Sequence, residues 1–360
     1  MNISSCRSRA RYSVDITGLR VQHTRSHDDA SFVFGQRVSV ITGPNGSGKT
    51  TLLEALHVAL RGTSFRGSDS EFLARDEDWW RIDVRLGDEQ ARVVKFDSTK
   101  TSGRKQFEID HKINYRLPVS KKYPVILFEP DDLRLLGGSP ARRRQFIDTF
   151  ITQINPLYTS TTRKYERALK QRNALLKQPS VTRDSLFVWD MAIAEYGAEM
   201  IRERSQIIER INQSLTDTYR SIAGTDDTAT LHYSHTIIDG IQQKLANELH
   251  YNFERDSLLG FTSTGPHRHD VVAEFNGAPA TTRASRGEIR SIILALKFIE
   301  VDVAESATGL SPVVLLDDVF AELDESRQQR LAEKCRGNQM FITSTGAYTG
   351  IDSATVIALD

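Results

Sequence analysis

The stretch Gly43-Pro44-Asn45-Gly46-Ser47-Gly48-Lys49-Thr50 matches GxxxxGKS/T, the pattern of a phosphate-binding P-loop. A short β-branched run, 38–41, precedes it, and the pattern predicts a helix over 50–60 directly after it. Glycines let backbone N–H groups approach phosphate oxygens, and the helix N-terminus adds its dipole. Lys49 contributes a positive charge, and the hydroxyl of Thr50 can bind Mg²⁺. The sequence therefore predicts a site for a nucleoside triphosphate with magnesium.

Two aspartates follow a second apolar strand. A P-loop needs a carboxylate to complete the metal shell, usually at the end of a neighbouring buried strand. The apolar run 313–316 ends in Asp317 and Asp318 and supplies that arrangement. We assign Asp317 to magnesium, directly or through water, and Asp318 to positioning or deprotonating the attacking water. The alternative is that the paired aspartates only cap a loop.

Composition is that of an ordinary globular protein, since 39% of the 360 residues are hydrophobic and 26% are charged. Lys+Arg and Asp+Glu both total 47, so net charge argues neither for nor against a polyanionic partner. Two stretches are locally basic: 95–122 has eight Lys/Arg against three Asp/Glu, and 163–183 has seven against one. They are either solvated faces or a surface for nucleic-acid phosphates.

Targeting and redox features indicate the cytosol. Cys6 and Cys335 are the two cysteines of the sequence and form no CxxC pair, so neither a zinc knuckle nor a disulfide framework is expected. Residues 1–11 contain no apolar segment typical of a secretory signal. The most apolar stretch, 289–303, carries four charged residues, which argues against a membrane span. We expect a cytoplasmic protein without membrane contact.

The predicted secondary structure changes from strands to helices and back to strands along the chain. Helical spacing runs from 151 to 215 with an interruption at Pro179, which predicts two long antiparallel helices ending near Gly224. This pair either packs into a core or protrudes as a coiled coil. Strand patterns precede it and return from Asp270, so a helical lobe interrupts one α/β domain. The predicted parts are 1–140 and 256–360 for the two halves of the α/β domain and 141–255 for the helical lobe.

The order of these motifs resembles the ABC-type ATPases, and within them the SMC-like branch whose nucleotide domain is split by a helical insert. Ser285-Arg286-Gly287-Glu288 begins a predicted long helix and resembles the family's Ser-x-Gly signature, although an ordinary helix N-cap has the same pattern. The resemblance implies an α/β P-loop ATPase with a mixed sheet, an antiparallel β subdomain and a helical lobe. It also implies that Ser285 and Gly287 of one protomer close over ATP held by the P-loop and Thr51 of another.

Two positions depart from that family. Thr343-Ser344 occupies the place of its switch histidine, and Asp318 stands where glutamate is usual. We therefore expect slow ATP turnover.

Several segments resemble the RecF family of bacterial DNA replication and repair ATPases more specifically. They are 52–56, 64–66, 128–133, 138–144, 264–268 and 315–324. The resemblance implies a weak, DNA-stimulated ATPase that binds ATP and Mg²⁺ and forms an ATP-dependent homodimer. It also implies binding to single-stranded, duplex and gapped DNA, association with the nucleoid, and loading of RecA with RecR and RecO. His267 and His269 are too few, without other ligand types nearby, to suggest a metal site, and their Gly-Pro context predicts a turn.

The match is weakest at the beginning of the chain. About a dozen residues precede Val14-Asp15-Ile16, and 26–30 is expected to be an irregular loop. The adenine pocket, the Q-loop and the DNA contacts therefore stay unassigned. Two other functions remain open, namely an ABC cassette that energises a membrane transporter and a structural SMC-like tether.

Overall fold

A computed structural model describes residues 12–13, 15–87, 90–101, 105–235, 239–319, 323–345 and 354–359. The chain divides into two compact units, unit 1 with residues 1–132 and 300–360 and unit 2 with residues 133–299. The first boundary lies near the predicted residue 140. The second lies at 300 instead of 256, which is a correction to the predicted helical lobe. Within the described residues, no helix combines the length and apolar character needed to cross a bilayer.

Strands dominate the first third of the chain, and helices dominate its middle. The strands are β1 (Tyr12–Ser13), β2 (Ile16–Thr24), β3 (His27–Val33), β4 (Val38–Thr42), β5 (Trp79–Leu86), β6 (Gln90–Asp97), β7 (Gln106–Ile109), β8 (Lys112–Asn114), β9 (Val125–Phe128), β10 (Ala229–Tyr233), β11 (Val271–Phe275), β12 (Ala278–Pro279), β13 (Leu310–Ser311), β14 (Val313–Leu316), β15 (Met340–Ser344) and β16 (Thr355–Ala358). The helices are α1 (Lys49–Arg61), α2 (Pro140–Ile154), α3 (Tyr158–Leu176), α4 (Arg183–Ala223), α5 (Ile241–Tyr251), α6 (Phe253–Leu259), α7 (Ala280–Arg283), α8 (Arg286–Thr308) and α9 (Glu325–Lys334).

Unit 1 contains a five-stranded sheet in the order β16-β4-β15-β14-β9, in which every described pairing is parallel. Strands β14 and β15 are buried along their whole length, as expected for a parallel sheet covered on both faces. The two predicted strands of this sheet, 38–41 before the P-loop and 313–316 before the aspartates, are confirmed as β4 and β14. The carboxyl ends of β4, β14 and β15 lie side by side, so the residues that follow these strands meet at one edge.

A six-stranded antiparallel sheet in the order β3-β2-β5-β6-β7-β8 forms the rest of unit 1. Its strands alternate buried and exposed residues, and the buried set packs with α1 and the parallel sheet in one apolar core. This sheet is the predicted antiparallel β subdomain, whereas the sheet predicted as mixed is parallel in every described pairing. The expected irregular loop at 26–30 is wrong, because β2 and β3 form a tight hairpin and β3 begins at His27.

Unit 2 is built around α3 and α4, the predicted helix pair. Tyr158 at the start of α3 and Arg204 in the second half of α4 share Asp148, and Arg172 near the end of α3 pairs with Asp190 near the start of α4. These contacts show that α3 and α4 run antiparallel. Apolar residues along the whole of α4 are buried, which favours core packing over a protruding coiled coil.

The ends of the helices follow local chemistry. Gly224, in the left-handed conformation at φ 70°, ends α4 as predicted. The predicted first helix is split, because α2 ends at Ile154 and Pro156 disfavours helical backbone at Asn155. Tyr219 of α4 packs edge-on against Phe275 of β11, with 5.7 Å between ring centroids. Such contacts attach the three-stranded sheet of β10, β11 and β12 to the helices. They explain why residues 256–299 belong to unit 2.

Candidate nucleotide-binding site

The P-loop links β4 to α1. Gly48 precedes α1 in the left-handed conformation, at φ 93°, and a Cβ atom there would collide with Ser26 and His27 of the β2–β3 hairpin. Lys49 is 4% exposed, and its Nζ donates hydrogen bonds to the carbonyl oxygens of Gly43 at 2.9 Å and Pro44 at 3.0 Å. The first turn of α1 contains no acidic residue. The loop is therefore curled around a buried cation at a helix N-terminus, an arrangement that attracts anions.

Thr50 and Asp317 face each other across the site. The hydroxyl of Thr50, in the first turn of α1, donates a 2.8 Å hydrogen bond to Oδ1 of Asp317, which follows β14. Burial raises the pKa of Asp317, and the hydroxyl groups of Thr50 and Thr343 partly oppose that shift. A hydroxyl oxygen and a carboxylate are the ligands that Mg²⁺ prefers. The residues present therefore fit the predicted magnesium site, although no metal is part of the structure.

Thr343 joins the two aspartates. From β15 its Oγ1 donates to Oδ1 of Asp317 at 2.9 Å and accepts the backbone N–H of Asp318 at 2.8 Å. Asp318 has φ 50°, an unfavourable value for a residue with a side chain, and such strain often marks functional positions. The motif order predicted that Thr343 occupies the switch position, but it did not predict the contact between Thr343 and Asp317. The register of parallel β14 and β15, with Leu316 opposite Ile342, accounts for this contact.

The other predicted site residues lie at different depths. Pro44, Asn45 and Gly46 are exposed, whereas Thr51 is 3% exposed inside α1. The carbonyl of Ser344 accepts the N–H of Gly43 at 3.3 Å, so the end of β15 holds the start of the P-loop.

Ser285 and Gly287 belong to unit 2, at the start of α8. Ser285 is exposed. Its Oγ accepts the N–H of Glu288 at 3.3 Å, and the Glu288 carboxylate accepts the N–H of Ser285 at 2.6 Å. This reciprocal pair is a capping box, so within one chain the Ser-x-Gly stretch acts as a helix N-cap. Its predicted role in closing over a second protomer's ATP stays a prediction.

Sequence analysis missed the hairpin residues that lie against the P-loop. His27 Nε2 is 3.3 Å from the carbonyl oxygen of Gly48. Arg25 donates two 3.1 Å hydrogen bonds to the carboxylate of Glu54, which is fully buried on α1. Ser64 Oγ also donates to Glu54, at 2.5 Å. The signal available in the sequence was Glu54 itself, an acidic residue inside an apolar helical run, which requires a partner when buried.

The segment 264–268 forms a corner of unit 2, as the predicted turn implies. Gly265 has φ 124°, and a Cβ there would approach Oη of Tyr165 at 2.7 Å. The N–H of Arg268 donates to the Gly265 carbonyl at 2.9 Å. His267 lies between the Tyr165 hydroxyl, 2.6 Å from Nδ1, and the Thr262 carbonyl, 3.1 Å from Nε2. These contacts give the segment a structural role.

The chain is similar to known proteins over most of its length. The family model described as "AAA domain" matches residues 19–266. "DNA replication and repair protein RecF" of Protochlamydia amoebophila is 33% identical over 92% of this chain and 94% of that protein. Its counterpart from Streptococcus suis is 34% identical over 91% of this chain and 92% of that protein. The chain belongs to the RecF family.

Solved structures extend the match to the fold. The recombination mediator protein RecF with ATP, in the RecFOR pathway, superposes with a TM-score of 0.85 at 28% identity, covering 96% of this chain and 95% of that one. An SMC head domain superposes with a TM-score of 0.51 at 15% identity, which shows a shared fold. The predicted ABC-type fold and RecF resemblance are confirmed. Membership in a family of DNA replication and repair proteins does not favour a transporter cassette or a structural tether.

Proposed function

We propose that this RecF-family chain binds ATP with Mg²⁺ at the P-loop and uses it to form a dimer on DNA. The observation that carries the proposal is the contact between Thr50 and Asp317 beside a P-loop whose lysine is buried. Residues 43–51 would hold the phosphates, and Thr50 with Asp317 would hold the metal. ATP is what the structurally similar RecF chain holds.

The residues of this chain would divide the chemistry among them. Lys49 would exchange its two carbonyl partners for phosphate oxygens, which are stronger acceptors because they are charged. Bound Mg²⁺ would neutralise charge on the phosphates. Asp318 would orient or deprotonate the attacking water, held in place by the hydrogen bond from its N–H to Thr343. Asp318 is shorter than the glutamate usual in ABC-type ATPases, which supports slow hydrolysis.

A second copy of the chain would complete the site. Ser285 is exposed at the start of α8, where the helix dipole attracts an anion. Ser285 and Gly287 of one protomer would cover the triphosphate of the other, so that ATP holds the dimer together.

DNA is the proposed substrate of that dimer. We expect binding to single-stranded gaps and to junctions between single-stranded and duplex DNA on the nucleoid, in a pathway with RecR and RecO that loads RecA. Contacts would be mainly with phosphates, so affinity should fall steeply with salt. Hydrolysis would be weak and stimulated by DNA.

Three variants test the composite site. Lys49→Ala should abolish ATP binding, because it removes the buried cation of the loop. Ser285→Arg should spare ATP binding and block the ATP-dependent dimer in sedimentation velocity. Ser285→Asp is the matched variant, because aspartate caps a helix as well as serine but repels a phosphate. It should also block the dimer, and a normal dimer in both Ser285 variants would refute the composite site.

A further inference from the structure

The outer face of the antiparallel sheet carries an ordered row of polar side chains. Strand register places Gln22 beside Arg81, Arg81 beside Lys95, and Lys95 beside Gln106, on four adjacent strands. Neighbouring strands lie about 4.8 Å apart, so the row spans roughly 14 Å. Two cations thus stand between two amides, each able to donate and accept hydrogen bonds.

Trp79 lies next to this row, where β5 begins. Its side chain is 39% exposed, unusual for tryptophan, and the ring of His23 packs against it with 4.3 Å between centroids. The indole borders a cavity of about 230 Å³ that Lys95, Lys100 and Asp97 also line. The cavity therefore has a partly exposed aromatic ring on one side, packed against a second ring, and lysine side chains on its rim.

The lysines around this cavity form only weak ion pairs with their carboxylate partners. Lys95 Nζ is 3.7 Å from Glu108, and Lys100 Nζ is 3.3 Å from Asp97; the side chain of Lys95 is 44% exposed and that of Lys100 is 57% exposed. Exposed pairs of this kind contribute little stability, so another anion can replace the carboxylate at small cost. Arg81 is held more firmly by two short hydrogen bonds to Asp83. Lys95 and Lys100 are therefore the cations available to a ligand.

We propose that this cavity binds single-stranded nucleic acid, with a base stacked on Trp79 and the adjoining phosphates on Lys95 and Lys100. An exposed aromatic ring combined with cations is the arrangement that binds single strands without sequence preference. Gln22 and Gln106 would contact base edges. The inference rests on the proposed function, and it locates DNA contacts that the basic stretch 95–122 left open. The cavity contains no residue of the P-loop, so binding here requires no ATP.

Quenching of tryptophan fluorescence by a short oligodeoxythymidine, without ATP and at low salt, tests the inference. Trp79→Ala should weaken binding about tenfold, because stacking on one aromatic ring accounts for roughly 5- to 160-fold in affinity. Trp79→Phe should retain most of the affinity, because phenylalanine also stacks. Lys95→Gln with Lys100→Gln should lower the slope of log affinity against log salt by about 1.4. Arg85→Gln, on the same face about 20 Å along β5 from Trp79, is the matched control and should bind normally.

The outcomes separate this inference from the proposed function. If the wild-type chain binds DNA with ATP while Trp79→Ala binds the oligonucleotide normally, the cavity is not a DNA site and the proposed function stands. If the wild-type chain binds no DNA with or without ATP, the proposed function itself fails. If a polyglutamate peptide competes as well as the oligonucleotide, the cavity is a surface for acidic protein segments and the assignment is overturned. Anisotropy with a labelled oligonucleotide supplies the same measurement for variants without Trp79.

Discussion

Replacing Thr343 with valine should lower the stability of the protein and its ATP turnover, while ATP binding persists. The side chain is 1% exposed, and valine has nearly the same shape, so the substitution removes a hydroxyl without opening a cavity. That hydroxyl donates to Asp317 at 2.9 Å and accepts the N–H of Asp318 at 2.8 Å. The variant therefore leaves one buried donor unpaired and takes one donor away from a buried carboxylate.

The magnitude follows from these two contacts. An unpaired buried N–H costs about 1–3 kcal/mol, and a lost hydrogen bond to a charged group costs about 1.5–3 kcal/mol. Their combination is about 2–5 kcal/mol, because the contacts share one hydroxyl and do not add fully. For a unit of the size of unit 1, this corresponds to a fall of roughly 4–20 °C in its thermal transition. Thr50 still donates to Asp317, so the carboxylate keeps one partner.

Calorimetry, nucleotide binding and turnover test the prediction together. Thr343→Val should lower the transition temperature and ATP turnover, whereas ATP binding should persist because Lys49 and the loop amides are untouched. Thr343→Ser keeps the hydroxyl and should restore both properties in large part. The reasoning is refuted if Thr343→Val is as stable as the wild type, or if it loses ATP binding as completely as Lys49→Ala.

Two further outcomes concern unit 2. Asp148→Ala should destabilise the protein by about 3–5 kcal/mol in chemical unfolding, because it strands Arg204, which is 2% exposed and makes two 2.8 Å bonds to that carboxylate. Burial lowers the pKa of His267 to about 4, so the unfolded chain binds its proton first and stability is lost as pH falls from 6.5 to 4. The contribution of His267 is about 3 kcal/mol at most, and the same pH titration of His267→Gln should show a loss smaller by that amount, while the losses from His57 and His269 remain.

Local patterns were sufficient to predict the parts of the nucleotide site. The P-loop lies between one strand and one helix, and Asp317 follows one buried strand, so each could be recognised without knowledge of the fold. Because parallel strands end at one edge of a sheet, the meeting of Thr50 and Asp317 also followed from the sequence. The helix ends at Pro179 and Gly224 depended on equally local rules.

The features that sequence analysis missed depend on contacts between distant segments. His27 meets Gly48 only because the β2–β3 hairpin turns back over the P-loop, and residues 26–30 carry no turn signal as clear as Asn-Gly. The second unit boundary was misplaced because β11, distant in sequence, packs on α4 through Phe275 and Tyr219. The single helical series from 151 hid a break at Pro156, because apolar spacing continued on both sides of it.

The chemistry at Thr343 bears on what ATP does in the proposed dimer. A histidine at this position could carry a positive charge and respond to a phosphate, whereas a threonine hydroxyl is neutral at every physiological pH. In this chain the hydroxyl holds the Asp318 backbone and the Asp317 carboxylate together, so its contribution is to fix their geometry. A site with a fixed carboxylate at the proposed metal position and no ionisable group at residue 343 is better suited to holding ATP than to hydrolysing it rapidly. This argues that ATP in the proposed dimer acts first as a clamp and only slowly as a fuel.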